Sequence, residues 1–270
     1  MTYRLLALDL DGTLIGADMT IPDETVAAAA AAQQRGLHIT LATGRTFRAT
    51  RPFAERLGID DAVICYQGGV IRHVRTGEIY AIAPMPADLA IEAIRLMEAA
   101  GLFVLVYFNE RIGIRHEGPE LEQYMRFHPE GIDAVVAPDL AALAAVEPVI
   151  KLQFMAEPAV VDRELPPLAA HFAGRLGALR SHAIFGELTV PGVSKGAALE
   201  TLAARLGIPR EEVIAIGDHE NDLPMIAWAG LGLAMGNAIP AVRQAADAVI
   251  PPVEEAGVAW AIRHYVLKER

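Results

Sequence analysis

Cysteine is almost absent from this sequence, with Cys65 its only example. A single thiol excludes an internal disulfide framework. Cys65 lies in the apolar run 62–66, so we predict that it is a small buried hydrophobic residue. A second histidine at metal-ligand spacing from His219 is also missing, which removes the pattern expected of a zinc site. We therefore expect His219 to be exposed and without a role.

Basic residues are scarce relative to acidic ones. The chain has 23 Lys and Arg against 34 Asp and Glu, which gives a formal net charge of -11. Nucleic-acid binding needs a clustered basic face, so we expect no nucleic-acid partner. The acidic balance does not exclude an anionic substrate, because the charge close to a site decides what binds there.

Long uninterrupted apolar runs are missing as well. Asp9 cuts the first run within a few residues, which makes it too short for the core of a secretory signal. The uncharged stretch 223–242 has the length of a membrane span but contains several helix breakers, namely Pro224, Gly230, Gly232, Gly236, Asn237 and Pro240. These breakers predict a helix, a short strand and a second helix instead. We expect a soluble, cytoplasmic protein with no membrane partner, as a monomer or a homodimer.

The 270 residues suffice for one large domain or two modest ones, and 53% of them are hydrophobic. Strand and helix patterns alternate at both ends of the chain. The first part predicts strands at 3–10, 37–42 and 62–66, helices at 23–35 and 46–57, and a hairpin of 70–74 with 78–82. The last part predicts helices at 194–206, 221–229 and 239–245 and strands at 213–216, 231–235 and 247–250.

The middle of the chain has a different pattern. It predicts helices at 87–100 and 158–173 and antiparallel strands at 102–108, 111–115, 149–155, 178–184 and 186–190. The fold class is therefore α/β: a doubly wound, Rossmann-like parallel sheet core with an inserted α+β domain. We place the core at 1–83 and 190–270 and the inserted domain at 84–189.

The first predicted strand runs into two carboxylates, Asp9 and Asp11, followed by Gly12 and Thr13. Ligands of open α/β sheets bind at the carboxyl ends of the strands. Two adjacent carboxylates repel each other unless a cation lies between them or one of them is protonated. Asp9 could attack phosphorus, Asp11 could transfer protons, and Mg²⁺ could neutralise the charge between nucleophile and phosphate. The alternative is an acidic strand end followed by an ordinary turn.

Three later segments could complete a phosphate site. Thr43 and Gly44 follow a strand, where a hydroxyl and a backbone N–H can hold phosphate; alternatively Thr43 only caps a helix. Lys195 opens a helix, where it can balance phosphate charge or simply be solvated behind a Ser194 cap. The third segment, 217–222, follows an apolar strand. Its side chains Asp218, Asn221 and Asp222 could bind a cation and phosphate; alternatively the segment is an acidic loop that caps the next helix.

Together these stretches resemble the haloacid dehalogenase-like superfamily and, within it, the Cof-like phosphatases. The matching segments are 9–13, 43–45, 195–196, 217–222 and 234–238. The resemblance implies that Asp9 is the nucleophile and Asp11 the acid/base. It also implies that Asp9, the Asp11 backbone carbonyl and Asp218 hold Mg²⁺. The phosphate binders would be Thr43, Gly44, Lys195 and Asn221, supported by Asp222.

Two segments depart from the family pattern. Gln67 stands where relatives commonly carry Asn before glycine. Residues 252–257 stand where relatives commonly carry an acidic-Gly stretch. The first departure could alter contacts near the phosphate.

The resemblance further implies that the inserted domain is a cap that selects the leaving group of a small phosphorylated metabolite. Sugar phosphates are the expected substrates, with pyridoxal or flavin phosphates as alternatives. The candidate cap residues lie near predicted strand ends: Tyr107, Asn109, Arg111, Arg115, His116, His182, Phe185 and Glu187. Two other functions stay open, a phosphosugar mutase of the same superfamily and a receiver-like phosphoacceptor module.

Overall fold

A computed structural model describes residues 3–127 and 131–269. The chain forms two compact units. The first, which we call the core unit, consists of three segments: the residues up to Arg45, Thr50–Ala81, and the residues from Ser194 onward. The second, the inserted unit, comprises Thr46–Ala49 and Ile82–Val193. The roles of catalytic core and cap stay predictions.

The chain begins with strands and helices in alternation, close to the predicted pattern. These elements are β1 (Leu5–Leu8), α1 (Asp23–Gln33), β2 (His38–Leu41), α2 (Phe47–Arg56), β3 (Ala62–Cys65), β4 (Val70–His73) and β5 (Ile79–Ile82). The predicted hairpin is present, and β3, β4 and β5 form a three-stranded sheet. Cys65 is fully buried, as predicted.

Between Ile82 and Val193, the described part of the inserted unit contains six strands and four helices, of which α4 and α5 are short. The elements are α3 (Ala87–Ala99), β6 (Phe103–Tyr107), β7 (Ile112–Ile114), α4 (Pro119–Met125), β8 (Ala134–Val136), α5 (Leu140–Ala144), β9 (Lys151–Met155), α6 (Pro158–His171), β10 (Gly177–His182) and β11 (Phe185–Thr189). Their six-stranded sheet has the order β10-β11-β9-β6-β7-β8.

Most of this sheet is antiparallel, as the sequence predicts, but β7 and β8 pair in parallel. The five predicted strands pair antiparallel with one another, whereas β8 was not predicted; it pairs in parallel because the helix α4 lies in the connection from β7 to β8. One sheet face packs an apolar core against the helices, with Val104, Val106 and Phe154 from the strands and Ile94 and Met97 from α3. Successive strand residues point to opposite faces, so Leu105 and Tyr107 lie on the other side.

The last part of the chain returns to strand and helix in alternation. Its elements are α7 (Lys195–Leu206), β12 (Val213–Gly217), α8 (Leu223–Trp228), β13 (Leu231–Ala234), α9 (Pro240–Ala245), β14 (Ala248–Val249) and α10 (Gly257–Ala261), followed by a π-helical segment (Ile262–Leu267). Residues 223–242 thus form a helix, a strand and the start of another helix, as predicted. Among the described residues, no helix is both long and apolar enough to cross a bilayer.

The core unit is built on a parallel sheet of order β14-β13-β12-β1-β2. All four residues of β1 are buried, which explains why its sequence is continuously apolar. Leu5 pairs with His38 of β2 on one side and with Val213 of β12 on the other. The chain therefore leaves β1 in one direction and returns beside it much later. This is a topological switch point, and the carboxyl ends of β1, β2 and β12 meet there.

Candidate active site

Asp9 is the first residue after β1. Its backbone N–H donates to the carbonyl of Ile216 on β12 (3.0 Å), so the residue is fixed by the sheet although the strand has ended. The side chain is buried. Gly12 then turns the chain with φ +85°, and a Cβ at this position would lie 2.5 Å from Asp218 Oδ2. Glycine is required at position 12 both by the backbone conformation and by the approach of Asp218.

Lys195 is the first residue of α7, and Ser194 caps that helix by accepting from the Ala197 N–H (3.1 Å). The Lys195 ammonium lies 2.5 Å from Asp9 Oδ1 and 2.6 Å from Asp222 Oδ1. It is fully buried, so the alternative of a solvated lysine is wrong. Burial alone would lower the pKa of Lys195, but the negative charges of Asp222 and Asp9 outweigh it and raise that pKa. The lysine is therefore a permanent cation between two carboxylates.

Asp222 uses its second oxygen to hold the loop after β12. Oδ2 accepts from the backbone N–H groups of Asp218 (2.9 Å) and His219 (3.0 Å). Gly217 lets this carboxylate approach, because a Cβ there would lie 2.4 Å from Asp222 Cβ. His219 is half-buried and its carbonyl accepts from the backbone N–H of Asp222 (3.0 Å), so the expectation that it is exposed is wrong. The loop is thus built around one carboxylate whose two oxygens are both engaged.

Asp9, Asp218 and Asp222 form a cluster of three carboxylates. Each contributes an oxygen, and these oxygens all lie within 4.8 Å of one another. Burial and the charge of Asp222 raise the pKa of Asp9, against the lowering effect of Lys195. The same two causes, in the same order, raise the pKa of Asp218 to about 7. A hard cation suits such a group, because carboxylate oxygens are its preferred ligands and its charge would relieve the repulsion.

Asp11 lies outside this cluster of carboxylates. Its side chain forms a bidentate ion pair with Arg45, with Oδ2 2.9 Å from Nε and Oδ1 2.6 Å from Nη2. The two partners differ in exposure, since Asp11 is 49% exposed and Arg45 only 5%. Arg45 also lies over the ring of Phe53, at 5.5 Å from its centroid. A rigid, buried guanidinium therefore holds a carboxylate that is open to solvent.

Thr43 and Gly44 follow β2, as predicted. The backbone N–H of Thr43 donates to the carbonyl of Ile64 (2.9 Å), and the Thr43 hydroxyl accepts from the backbone N–H of Arg45 (3.2 Å). The loop therefore links β2, β3 and the Arg45 side chain that reaches Asp11. Asn221 is held from the other side, since its Nδ2 donates to Gln67 Oε1 (3.0 Å).

The structure thus brings the predicted residues together in two ways. Asp9, Lys195, Asp218 and Asp222 are in direct contact or within one cluster. Asp11, Thr43 and Asn221 form a second set, in which Arg45 bonds to Asp11 and Thr43, and Gln67 bonds to Thr43 and Asn221. Sequence reasoning gave no role to Arg45, although it stands inside the quoted Thr-Gly-Arg segment. It also missed two polar contacts, Thr13 Oγ1 with Asp218 (3.1 Å) and Asn237 Nδ2 with the Gly12 carbonyl (2.7 Å).

The candidate cap residues fall into three environments. Tyr107 and Glu187 are buried in a polar network with Lys151, Gln153 and Tyr124. Four others contact ionic or aromatic partners at the surface of the inserted unit: Arg111 with Glu147, Arg115 with Glu98, His116 with Phe103, and His182 with Phe127. Phe185 also packs against Phe127, and Asn109 is half-buried. Sequence reasoning missed Lys151 and Gln153, and the selecting role of all these residues stays a prediction.

A sequence profile of haloacid dehalogenase-like hydrolases matches residues 6–262, which is nearly the whole chain. The chain belongs to this family. YxeH of Bacillus subtilis, provisionally named as a phosphatase, is 32% identical over 98% of this chain and 99% of its own. YbhA of Escherichia coli, a pyridoxal phosphate phosphatase, is 28% identical over 93% and 94%.

A solved sugar phosphatase of the same superfamily superimposes with a TM-score of 0.83 at 25% identity, covering 97% of this chain and 98% of its own. The predicted family and fold class are therefore confirmed. This haloacid dehalogenase-like hydrolase matches phosphatases along its whole length, so a receiver-like module, which needs one doubly wound domain only, does not describe it.

Proposed function

We propose that this hydrolase is a Mg²⁺-dependent phosphatase of small phosphorylated metabolites that works through an aspartyl-phosphate on Asp9. The observation that carries the proposal is the buried Asp9 carboxylate at the carboxyl end of the central strand, ion-paired with Lys195 and beside Asp218. A carboxylate held in place by a cation, at the edge of a sheet where ligands bind, is suited to attack an incoming phosphate.

The reaction has two balanced steps. In the first, Asp9 Oδ2 forms a bond to phosphorus, the ester P–O bond breaks, and Asp11 gives a proton to the leaving alcohol. In the second, Asp11 takes a proton from water, the water oxygen bonds to phosphorus, and the Asp9–phosphorus bond breaks to release phosphate. We assign Oδ2 because Oδ1 is already bound to Lys195.

The carboxylate cluster fits a hard cation, and Mg²⁺ bound there would neutralise charge between nucleophile and phosphate. We assign Asp9, Asp218 and the backbone carbonyl of Asp11 as its ligands. Asp222 belongs to the same cluster, but both of its oxygens already accept hydrogen bonds. Its proposed role is therefore to support Lys195 and the loop that carries Asp218.

Thr43, Gly44, Lys195 and Asn221 are the proposed phosphate ligands. The Lys195 ammonium supplies a fixed positive charge, and the Thr43 hydroxyl and the Gly44 N–H supply donors at the end of β2. Arg45 is a proposed positioning residue, because its fork holds both oxygens of Asp11. This contact would keep the Asp11 carboxyl group at one fixed position for proton transfer.

We propose sugar phosphates as the preferred substrates, selected by the inserted unit. The polar side chains on its sheet, among them Lys151, Gln153 and Glu187, suit a leaving group rich in hydroxyls, and one solved relative is a sugar phosphatase. Pyridoxal phosphate is the competing substrate, since YbhA is named for it. Free phosphate released from a panel of both kinds decides between them. It also separates hydrolysis from return of the phosphoryl group to a sugar.

Removal of metal should abolish hydrolysis of para-nitrophenyl phosphate. We expect activity to disappear in EDTA and to return with Mg²⁺, while Ca²⁺ inhibits because its larger and looser coordination shell misplaces the nucleophile. The measurement is nitrophenolate release after dialysis against chelator and after each cation is added back. Full activity in metal-stripped protein would contradict the proposal.

Loss of the Arg45 fork should slow turnover without weakening phosphate binding. Arg45→Met removes both contacts to Asp11, whereas Arg45→Lys keeps a cation that can reach only one oxygen. We expect kcat to fall about 10–100-fold in the first variant and less in the second, because a misplaced acid/base transfers protons poorly. Arg51→Met, a change at an exposed arginine of the same helix region, is the control. Equal kcat in Arg45→Met and wild type would remove Arg45 from the mechanism.

A further inference from the structure

The turn Tyr66–Gly68, which follows β3, has an uncommon backbone. φ is 54° at Tyr66, 61° at Gln67 and 101° at Gly68, so three consecutive residues lie in the left-handed region. Tyr66 and Gln67 both carry large side chains and are both buried. Side chains are disfavoured in this region, and such strain persists only where surrounding contacts over-determine the conformation. The contacts of this turn therefore indicate what it is for.

The turn is bonded to the loop that follows β2. The N–H of Tyr66 donates to the Arg45 carbonyl (3.0 Å), and the N–H of Gln67 donates to the Thr43 carbonyl (3.0 Å). Between those two residues, a Cβ at Gly44 would lie 2.5 Å from Gln67 Nε2. The amide of Gln67 therefore sits directly against the backbone of Gly44, one of the proposed phosphate ligands.

The same turn contacts the other two phosphate-binding segments. A Cβ at Gly68 would lie 2.3 Å from the carbonyl oxygen of Ser194, the residue that caps the helix opened by Lys195. Gln67 Oε1 accepts from Asn221 Nδ2 at 3.0 Å. Three segments distant in sequence thus meet on one strained turn.

We propose that Gln67 is a positioning residue for phosphate, acting through Asn221; this inference rests on the proposed function and deepens it. Asn221 Oδ1 is buried and has no hydrogen-bond partner among the residues that the structure describes. The bond from Nδ2 to Gln67 is therefore the contact that orients this amide. Without it, the Asn221 side chain samples more rotamers, and a smaller fraction of molecules presents it to a phosphate oxygen.

Gln67→Gly separates positioning from mere structural support. Glycine favours a positive φ, so the variant keeps the turn and removes the side chain with its amide. We expect thermal stability close to that of the wild type, because relief of the positive φ offsets the loss of the buried side chain. We also expect binding of inorganic phosphate to the Mg²⁺-loaded protein, measured by calorimetry, to weaken about 5–10-fold, as for the loss of one orienting hydrogen bond.

Two further variants sharpen this test. Gln67→Asn keeps the amide on a side chain one methylene shorter and should also weaken phosphate binding, because the amide no longer reaches Asn221. Lys268→Gly is the matched control: Lys268 also has a positive φ (57°) but lies outside the site, so it should bind phosphate like wild type.

A double-mutant cycle tests the route through Asn221. Gln67→Gly combined with Asn221→Ala should bind phosphate no more weakly than Asn221→Ala alone. Additive losses, or wild-type affinity in Gln67→Gly, would overturn the inference. Wild-type protein that binds phosphate but hydrolyses no ester would overturn the proposed function alone, since the binding comparison still decides the role of Gln67. Wild-type protein that binds no phosphate would overturn both.

Discussion

Asp9→Asn is expected to reduce phosphate release to background, a loss of more than about 10⁴-fold in kcat, because the amide cannot act as the attacking nucleophile. The fold should survive, since Asn has the same shape and its carbonyl oxygen can still accept from Lys195. Asp60→Asn, at an exposed position of the core unit, is the matched control and should retain wild-type turnover.

Loss of activity in Asp9→Asn does not by itself identify the nucleophile, because a metal-activated water would also need Asp9 to hold the cation. Labelling with ¹⁸O-water does not separate the two routes, because attack of water on the phosphorus of an aspartyl-phosphate and direct attack of a metal-bound water on the ester both leave the label on phosphate. Trapping of a phosphate mimic on Asp9 does separate them. A crystal structure with Mg²⁺ and BeF₃⁻ should place beryllium within bonding distance of an Asp9 oxygen. Beryllium bound away from Asp9 would favour the metal-bound water route.

Asp11→Asn is expected to turn over about 10²–10⁴-fold more slowly, which is the usual effect of removing a positioned acid/base group. Phosphate and metal should still bind, because the proposed metal contact of residue 11 is a backbone carbonyl. The asparagine oxygen can keep one bond to Arg45. Calorimetry with inorganic phosphate, with and without Mg²⁺, checks this part of the prediction.

The kinetics of Asp11→Asn should also show which step has lost its catalyst. Para-nitrophenolate leaves without protonation, so the first step should remain fast, whereas attack by water still needs a base. A stopped-flow trace should therefore show a burst of nitrophenolate equal to the enzyme concentration, followed by slow turnover. An ester of a poor leaving group should show no burst. Wild-type turnover on both esters would exclude Asp11 from proton transfer.

The parallel core could be predicted from the sequence because its strands are buried on both faces. Such strands appear as short, continuous apolar runs, and β1, β2 and β12 are each followed by a helix pattern that ends near a glycine, at Gly36, Gly58 and Gly230. The carboxylates at the strand ends then had to lie at one edge of the sheet. That argument placed Asp9 and Asp218 together without knowledge of the strand order.

The elements between β7 and β9 could not be predicted in the same way. The helices α4 and α5 have seven and five residues and β8 has three, which is too short for a hydrophobic period to emerge. Their existence depends on tertiary packing, since short helices are marginal alone. The parallel pairing of β8 with β7 depends on the connection through α4, so it could not be predicted without that helix.

Arg45 and Gln67 show why part of the site was also missed. Their roles depend on which distant side chain each one reaches, Asp11 across 34 positions and Asn221 across 154. Local sequence carries no signal for such pairs. The departure from the family pattern at Gln67 marked the position as unusual, but only the backbone of the turn and its neighbours indicate a role.

The central position of β1 has a consequence for synthesis of the chain. Leu5 pairs with His38, but its other neighbour, Val213, is made about 200 residues later. At typical rates of translation that interval is roughly 10–40 s, during which one edge of this fully buried strand lacks its partner. An unpaired strand edge can add to another chain, so nascent copies should depend on chaperones or on slow initiation to avoid aggregation. The strand order that brings the carboxylates together thus also delays completion of the parallel sheet until β12 has been synthesised.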